Sequence, residues 1–466
     1  MRATLAQLAS AIPGATLVND AQTAFDGVST DSRNVAAGAL FVALRGEVFD
    51  AHAFLPQVAG QGVAAVVAEH LPDGWTLPAI VVPDTLVALG RIANYWRRQF
   101  AVPVIGVTGS NGKTTVKEMI ASILAEACGG EDARLATRGN LNNEVGVPLT
   151  LFRLDAAHRA AVVELGMNHP GEIGRLSAIA EPTVAMVNNA QREHQEFMHT
   201  VEAVARENGA VLAGLGEDGV AVFPHGDEFT PLWQALSGKR RTVTFGLTPQ
   251  ADVSCTYRAG DFGSELTITI GHDAAATPFF VRLQAAGEHN VRNALAAAAC
   301  AYAAGISATA IRLGLEAFAP VAGRLQKKAA ANGAVVIDDT YNANPDSVRA
   351  AIDVLAKAAA PRILVLGDMG EVGTKGREFH EEIGAYAQSK GIEQVLVTGE
   401  LARHMHGVPL QQTSIRHFEQ FGDLLAALDA VITPDATVLI KGSRFMKMER
   451  VVQHLIGSQQ ANKESH

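Results

Sequence analysis

At 466 residues the chain is too long for one hydrophobic core, since single cores stop growing at roughly 250–300 residues, and its patterning resolves it into three domains. Its 48% hydrophobic and 18% charged content is that of a globular protein that buries large cores, which excludes extensive disorder. A net charge of −10 without any Lys/Arg cluster lacks the electrostatic footprint of a nucleic-acid binder, so no nucleic-acid partner is expected and any nucleotide recognised is small.

Residues 1–11 carry Arg2 and short apolar stretches broken by Gln7, with Pro13 close behind; they make a poor signal peptide and predict an ordinary first helix. Between residues 39 and 82 three apolar runs, 40–44, 63–67 and 79–82, sit among Gly, Pro and Asp, which predicts buried strands of a small α/β domain. Residues 86–100 repeat apolar side chains at helical spacing, and a new apolar strand follows Pro103, so a boundary falls near residue 100. Strands such as 161–165 and 184–187 then alternate with helices, the pattern of a mostly parallel, doubly wound sheet. From about 242 to 284 alternating strands without helices, clearest at 265–270, predict an antiparallel extension of that sheet. A helix over about 290–304 closes this domain; its apolar stretch, 294–306, is mostly alanine and short of the roughly 18 residues a bilayer needs, so no membrane span is expected. Pro320 and Gly323 mark a hinge before a third α/β unit with strands near Val335, Ile363, Val395 and Val438. Cys128, Cys255 and Cys300 lie far apart with no C-x-x-C pair, which argues against a disulfide framework and fits a reducing, cytoplasmic compartment.

The strongest signal is the strand 104–107 running into Thr108-Gly109-Ser110-Asn111-Gly112-Lys113-Thr114-Thr115 and then a helix with Val116, Met119, Ile120 and Leu124 at core spacing. Glycines let consecutive N–H groups converge on phosphate oxygens, the helix N-terminus adds positive potential, Lys113 can reach the β/γ-phosphates, and a threonine hydroxyl can ligate Mg²⁺. ATP and Mg²⁺ are therefore the expected cofactors. The fold class is α/β in three domains: residues 1–100, a small N-terminal α/β domain; 101–318, a central P-loop ATPase-like domain with a mostly parallel sheet and its antiparallel extension; and 319–466, a C-terminal Rossmann-like α/β domain.

The spacing departs from G-x-x-x-x-G-K-[ST], because position 107 is valine. It resembles instead the phosphate loop of the Mur ligases and of folylpolyglutamate synthase. Further segments in all three domains resemble the Mur ligase family, and within it the branch that adds D-alanyl-D-alanine. Ser29-Thr30-Asp31-Ser32-Arg33 and the stretch 38–46, ending at Arg45-Gly46, resemble the family's UDP-sugar-binding segment; Asp50-Ala51-His52 stands where members usually show Asp-Gly-His. The resemblance makes Ser29, Asp31, Ser32, Arg33 and Arg45 candidates for substrate binding. It does the same for Asn140, Asn142 and Asn143 in a loop beside the nucleotide, and for Lys441 near the end. Glu164, at a strand end, resembles the family's Mg²⁺-binding glutamate, and His194 its metal-associated histidine; Thr114 completes the expected metal set. Asn208 occupies the position of the family's carbamoylated lysine, and asparagine cannot form a carbamate; Glu207 is a candidate partial substitute. Asn290 and Asn293 match asparagines near the nucleotide, with helix capping by Asn290 a compatible role. Arg324 resembles the arginine that reaches from the third domain to the γ-phosphate, while Asp338, Tyr341 and Asn342 can bracket ribose or adenine.

What the resemblance implies is an ATP-dependent amide ligase joining D-alanyl-D-alanine to UDP-N-acetylmuramoyl-tripeptide in peptidoglycan precursor synthesis, with Lys113, His194 and Arg324 catalytic and the enzyme a monomer. The D-N-P-R motif by which diaminopimelate-adding relatives recognise their amino acid is absent, and residues 366–373 and 439–449 are typical of the D-alanyl-D-alanine branch. A ligase adding a single amino acid, of Mur or folylpolyglutamate type, is the alternative. A nucleotide-operated switch would need only the phosphate loop, and a dinucleotide oxidoreductase is disfavoured because Lys113-Thr114-Thr115, with no G-x-G-x-x-G, opens the helix.

Overall fold

The computed structural model describes residues 1–46, 48–260, 262–272, 277–405 and 413–457, which form a two-stranded ribbon and three larger sheets. The first eleven residues are not one helix. Arg2–Thr4 is a strand paired antiparallel with Ala24–Asp26, and the helix Leu5–Ala9 starts only where Thr4 and Gln7 cap each other's backbone N–H groups. The five-stranded sheet runs Thr16–Val18, Ala79–Val81, Ala65–Ala68, Leu40–Val42, Val28–Ser29, parallel except for Thr16–Val18. The apolar runs seen in the sequence supply its central strands, buried on both faces as parallel strands must be.

The helix Thr85–Arg97 leaves this sheet and lies against the central unit. Trp96 Nε1 donates to the Leu154 carbonyl at 2.9 Å, and buried Arg97 donates to the carbonyls of Ala180, Phe100, Val102 and Glu181. A single core consequently runs from Leu89 and Ile92 through Leu151 and Leu176 to Trp233.

The central unit begins with β1 (Val104–Thr108) and α1 (Lys113–Cys128), followed by β2 (Ala160–Glu164), α2 (Glu172–Ala180), β3 (Val184–Val187) and α3 (Val201–Ala213). β1 lies between β2 and β3, both parallel to it, so strand order reverses there and a crevice opens beyond its carboxyl end. Beyond β2 the sheet ends at Arg134–Ala136; beyond β3 it continues through Val220–Pro224, Arg241–Gly246, Val253–Ala259, Ser264–Ile270 and Phe279–Leu283. The antiparallel extension starts later than the sequence suggests. Arg241–Gly246 is parallel to Val220–Pro224, reached by a crossover through the helix Thr230–Ser237, and only the pairings among the last three strands are antiparallel. Helix α4 (Glu288–Ala303) opens at Gly287, with Asn290 inside its first turn rather than at the cap, and its alanine-rich length is buried all round.

The third sheet runs Gln326–Ala329, β4 (Val335–Asp339), β5 (Thr437–Lys441), Arg362–Leu366, Gln394–Thr398 and Ser414–Phe418, parallel apart from the first edge strand. Between β4 and Arg362–Leu366 the chain forms α5 (Pro345–Leu355), started by a reciprocal Asn344/Ser347 cap with Pro345 in its first turn. Among the described residues no helix is long and apolar enough to cross a membrane, and all three cysteines are free and buried.

Replacing Arg97 by Met keeps the volume but strips four carbonyls of a donor. A loss of about 1–3 kcal/mol is expected, read as a lowered midpoint in thermal unfolding, and an unchanged midpoint would remove Arg97 from its role in joining the two units.

Candidate active site

The phosphate loop leaves β1 at Thr108 and enters α1 at Lys113. Gly112 has φ +80, and a Cβ there would fall 2.5 Å from Asn293 Oδ1 and 2.7 Å from Asn188 Nδ2, so the position needs glycine for both conformation and space. Those amides form a relay: Asn290 donates to the Ala286 carbonyl (2.8 Å), Asn293 to Asn290 Oδ1 (3.1 Å), and Asn188 to both Asn293 Oδ1 (2.9 Å) and the Asn111 carbonyl (2.8 Å). Asn189 Oδ1 accepts from the Asn111 N–H at 2.9 Å. Lys113 Nζ folds back onto the loop, donating to the carbonyls of Gly109 (2.5 Å) and Ser110 (3.1 Å).

Around the loop lies a cavity of about 860 Å³ whose walls include Ser110 to Thr115, Asn140, Asn142, Asn143, Glu164, His194, Asn290, Asn293, Arg324, Tyr341, Asn342 and Lys441. Residues from the central and third units thus meet in one place. Glu164, 2% exposed at the end of β2, accepts from Asn142 Nδ2 at 2.8 Å through Oε1, while its Oε2 is buried with no partner. Arg324 Nη2 donates to Thr114 Oγ1 at 2.8 Å, and its guanidinium stacks 4.2 Å above the Tyr341 ring. His194 has left-handed backbone at φ 47; its Nδ1 lies 2.5 Å from Glu371 Oε2, close enough for an ion pair but out of line for a hydrogen bond.

The third unit meets the central unit at three more points. Asn344 Nδ2 donates to Asn111 Oδ1 at 2.9 Å, and Arg192 pairs with Asp346 (2.6 Å) and Glu382 (2.7 Å). Buried Lys441 donates to Asp339 Oδ2 (2.6 Å) and the Asn342 carbonyl (2.8 Å); burial raises the Asp339 carboxyl pKa against the pull of this ammonium. Asp338, expected beside the nucleotide, faces the other way. Alternate residues of β4 point to opposite faces, so Asp339 lines the cavity while Asp338 pairs with Lys328 (3.4 Å) and accepts from Thr340.

Thr108 and Gly109 support the loop from beneath rather than lining the cavity. Thr108 Oγ1 donates to Asn208 Oδ1 at 2.8 Å, which seats α3 against β1. Glu207 does not serve the phosphate loop: both its oxygens accept backbone N–H groups at the start of α2, from Gly171 and Ile173, each at 2.8 Å. The N-terminal candidates form a separate group. Ser29 closes a strand, and Arg33 turns back on Asp31, holding that carboxyl at about 2 chiefly through its side-chain hydrogen bonds. Arg45 pairs with Glu69 (2.7 Å) and Asp50 (3.4 Å). None of Ser29, Asp31, Ser32, Arg33 or Arg45 lines the cavity around the phosphate loop. Among the lining residues absent from the sequence candidates are Asn188, Glu193, Asp339 and Glu371; the paired asparagines ending β3 were the readable signal, whereas the carboxylates carried none.

Three family models match in succession: the Mur ligase family catalytic domain over residues 24–97, the Mur ligase middle domain over 107–301, and the Mur ligase glutamate ligase domain over 323–444. The UDP-N-acetylmuramoyl-tripeptide–D-alanyl-D-alanine ligase of Escherichia coli is 38% identical across 97% of this chain and 98% of its own length. The chain belongs to the Mur ligase family. The ligase of the same name from Bacillus subtilis is 34% identical over 98% of this chain and 99% of its own. Among solved structures, MurF from Acinetobacter baumannii superposes with a TM-score of 0.90 at 36% identity, covering 98% of this chain and 99% of that one. MurF ligase from Thermotoga maritima in complex with ADP gives 0.82 at 25% identity over 93% and 98%. In this Mur ligase chain the cavity spans the middle and glutamate ligase domains, with Leu86 its single lining residue from residues 1–97.

Gly112→Ala tests the loop. Strain at φ +80 and collision with Asn293 and Asn188 are expected to weaken binding of a fluorescent ATP analogue at least tenfold while the melting temperature stays within a few degrees; unaltered affinity would separate the loop from phosphate binding.

Proposed function

We propose that this Mur ligase joins D-alanyl-D-alanine to UDP-N-acetylmuramoyl-tripeptide at the expense of ATP, yielding the pentapeptide precursor of peptidoglycan, ADP and phosphate. The observation that carries the reading is Arg324 reaching across from the third domain to Thr114 in the phosphate loop, in a cavity that also holds Lys113 and Glu164. The near full-length similarity to ligases of that name supports the choice of amine and acceptor.

A carboxylate does not condense with an amine in water unactivated. The terminal carboxylate of the tripeptide attacks the γ-phosphorus, ADP leaves, and an acyl phosphate remains; the dipeptide amine adds to its carbonyl, loses a proton, and the tetrahedral intermediate expels phosphate. Lys113, released from the loop carbonyls, sits against the β/γ-phosphates, and Arg324 neutralises charge spread over the transferred group. The fit to Mg²⁺ rests on the orphaned Oε2 of buried Glu164 and on the Thr114 hydroxyl, both hard oxygen donors beside the loop. When bound there, Mg²⁺ supplies Lewis-acid polarisation of the phosphoryl oxygens. His194 orients the wall facing Glu371, while Tyr341, Asn342, Asn290 and Asn293 surround the nucleotide. Asn140, Asn142, Asn143 and Lys441 shape the acceptor side, and Ser29, Asp31, Ser32, Arg33 and Arg45 hold the UDP end at a distance from the chemistry. The enzyme is taken to act as a monomer in the cytoplasm, and three free cysteines support that compartment.

Phosphate release is expected only when ATP, Mg²⁺, UDP-N-acetylmuramoyl-tripeptide and D-alanyl-D-alanine are all present. Release with a single amino acid in place of the dipeptide would move the chain to a sibling ligase, and release with neither acceptor would favour a nucleotide switch. Arg324→Ala is expected to lower kcat by about 10²–10³ while nucleotide affinity changes only a few-fold; an unchanged kcat would reject its role.

A further inference from the structure

Lys117 lies about one turn beyond Lys113 on α1, and its side chain is fully buried. Nζ donates to the Thr137 carbonyl at 2.9 Å and to Oε1 of the partly exposed Glu118. Lys117 is not among the residues that line the cavity. A buried ammonium carries a large desolvation cost, and where it serves the fold alone a well-packed apolar side chain of like volume does as well or better. A charge kept at this position therefore points to the group it holds.

That group belongs to a junction. Thr137 follows the edge strand Arg134–Ala136 and opens the loop that brings Asn140, Asn142 and Asn143 to the cavity. Its N–H donates to the Val162 carbonyl at 3.2 Å, and its Oγ1 accepts from the Glu164 N–H at 3.0 Å. Further along, the loop closes onto the same strand end: Asn142 Nδ2 donates to Glu164 Oε1, and the Asn142 carbonyl accepts from the Gly166 N–H, each at 2.8 Å. The end of β2 thus fixes both Thr137 and Asn142. Of these bonds, the one from Lys117 joins the loop to the helix that starts at the phosphate loop.

We propose that Lys117 is a positioning residue for the acceptor. Its ammonium holds the Thr137 carbonyl against α1, and so sets where the asparagines of the loop stand relative to phosphates bound at the start of that helix. The inference rests on the reading above that Asn140, Asn142 and Asn143 shape the acceptor side. Attack of a carboxylate on phosphorus needs the two aligned, and a misplacement of about 1 Å costs on the order of 10²-fold in rate. A lysine suits the task where an apolar side chain does not, because a carbonyl is held in place by a donor.

Isothermal titration calorimetry of the full chain separates this role from a purely structural one. Lys117→Met is expected to keep its melting temperature within a few degrees and to bind a non-hydrolysable ATP analogue within about twofold of the unaltered protein. UDP-N-acetylmuramoyl-tripeptide, titrated into the analogue-loaded variant, is expected to bind roughly tenfold or more weakly, with kcat for ligation lowered as well. Thr137→Val, which cuts the tie to Glu164, is expected to weaken the same ligand and to add little when combined with Lys117→Met, because both act through Thr137. Unchanged tripeptide affinity in Lys117→Met overturns the proposal. So does weakening of analogue and tripeptide by the same factor, which would mark a general loosening of α1. Should Lys117→Met fail to fold, Lys117→Arg decides by the same split, since it keeps the charge but presses a longer, forked donor on the Thr137 carbonyl. Unaltered protein that takes up the analogue but not the tripeptide removes the ligase reading and the proposal with it.

Discussion

The left-handed turn at Gly112 holds its place because a file of buried amides runs from Asn290 through Asn293 and Asn188 to the Asn111 carbonyl. The file joins three stretches of chain: Asn290 and Asn293 at the start of α4, Asn188 at the end of β3, and the backbone of the loop itself. The file closes only if α4 comes near enough for Asn293 to touch the glycine. Eight consecutive buried residues, Ala294 to Ala301, are alanine apart from Leu295 and Cys300, and small side chains let α4 settle close to α1 and the sheet. The alanine-rich stretch, too short in the sequence for a membrane span, is thus a spacer of minimal thickness, and the position of the phosphate-binding backbone depends on it.

The same geometry explains what was readable beforehand. Strands buried on both faces announce themselves as apolar runs, and the phosphate loop as a strand, a glycine turn and Lys-Thr-Thr, so the three-sheet plan and the loop residues were legible. Edge strands were not: Gln326–Ala329 carries Gln326, Lys327 and Lys328, and Ser414–Phe418 carries Arg416 and His417, because an edge needs no second buried face. The strand Arg2–Thr4 was hidden by its three-residue length and by a partner twenty residues away. Within the site, Asp338 and Asp339 could not be told apart without knowing which face of β4 the cavity occupies. Glu193 read as one more acidic residue in a loop, since neither its burial nor its unpartnered oxygen has a sequence signature.

In the structure the polar groups around the phosphate loop satisfy one another. Lys113 rests on its own loop carbonyls, Arg324 on the Thr114 hydroxyl, Asn344 on Asn111, and His194 against Glu371. Contacts of this kind are individually modest, about 0.5–1.5 kcal/mol for a neutral hydrogen bond, and a polar seam built from them can be remade by an incoming phosphate where an apolar one would resist. The Arg192 pairs with Asp346 and Glu382 lie at the same seam but make no contact with the loop backbone, so they can persist while the loop contacts exchange.

Arg324 and Thr114 show why that exchange has a direction. With a guanidinium 2.8 Å away, the Thr114 hydroxyl cannot also receive a divalent cation, because two positive groups would share one small dipole with no anion between them. On the proposed reading the phosphates of a nucleotide would supply that anion. Thr114 would then hold a metal through the hydroxyl that Arg324 occupies, and the stacking of Arg324 on Tyr341 limits the guanidinium's release to a swing about the ring face. On that reading, loading the phosphate loop and aiming the third domain's arginine would be one event, since the hydroxyl a metal would need is the one the arginine must leave.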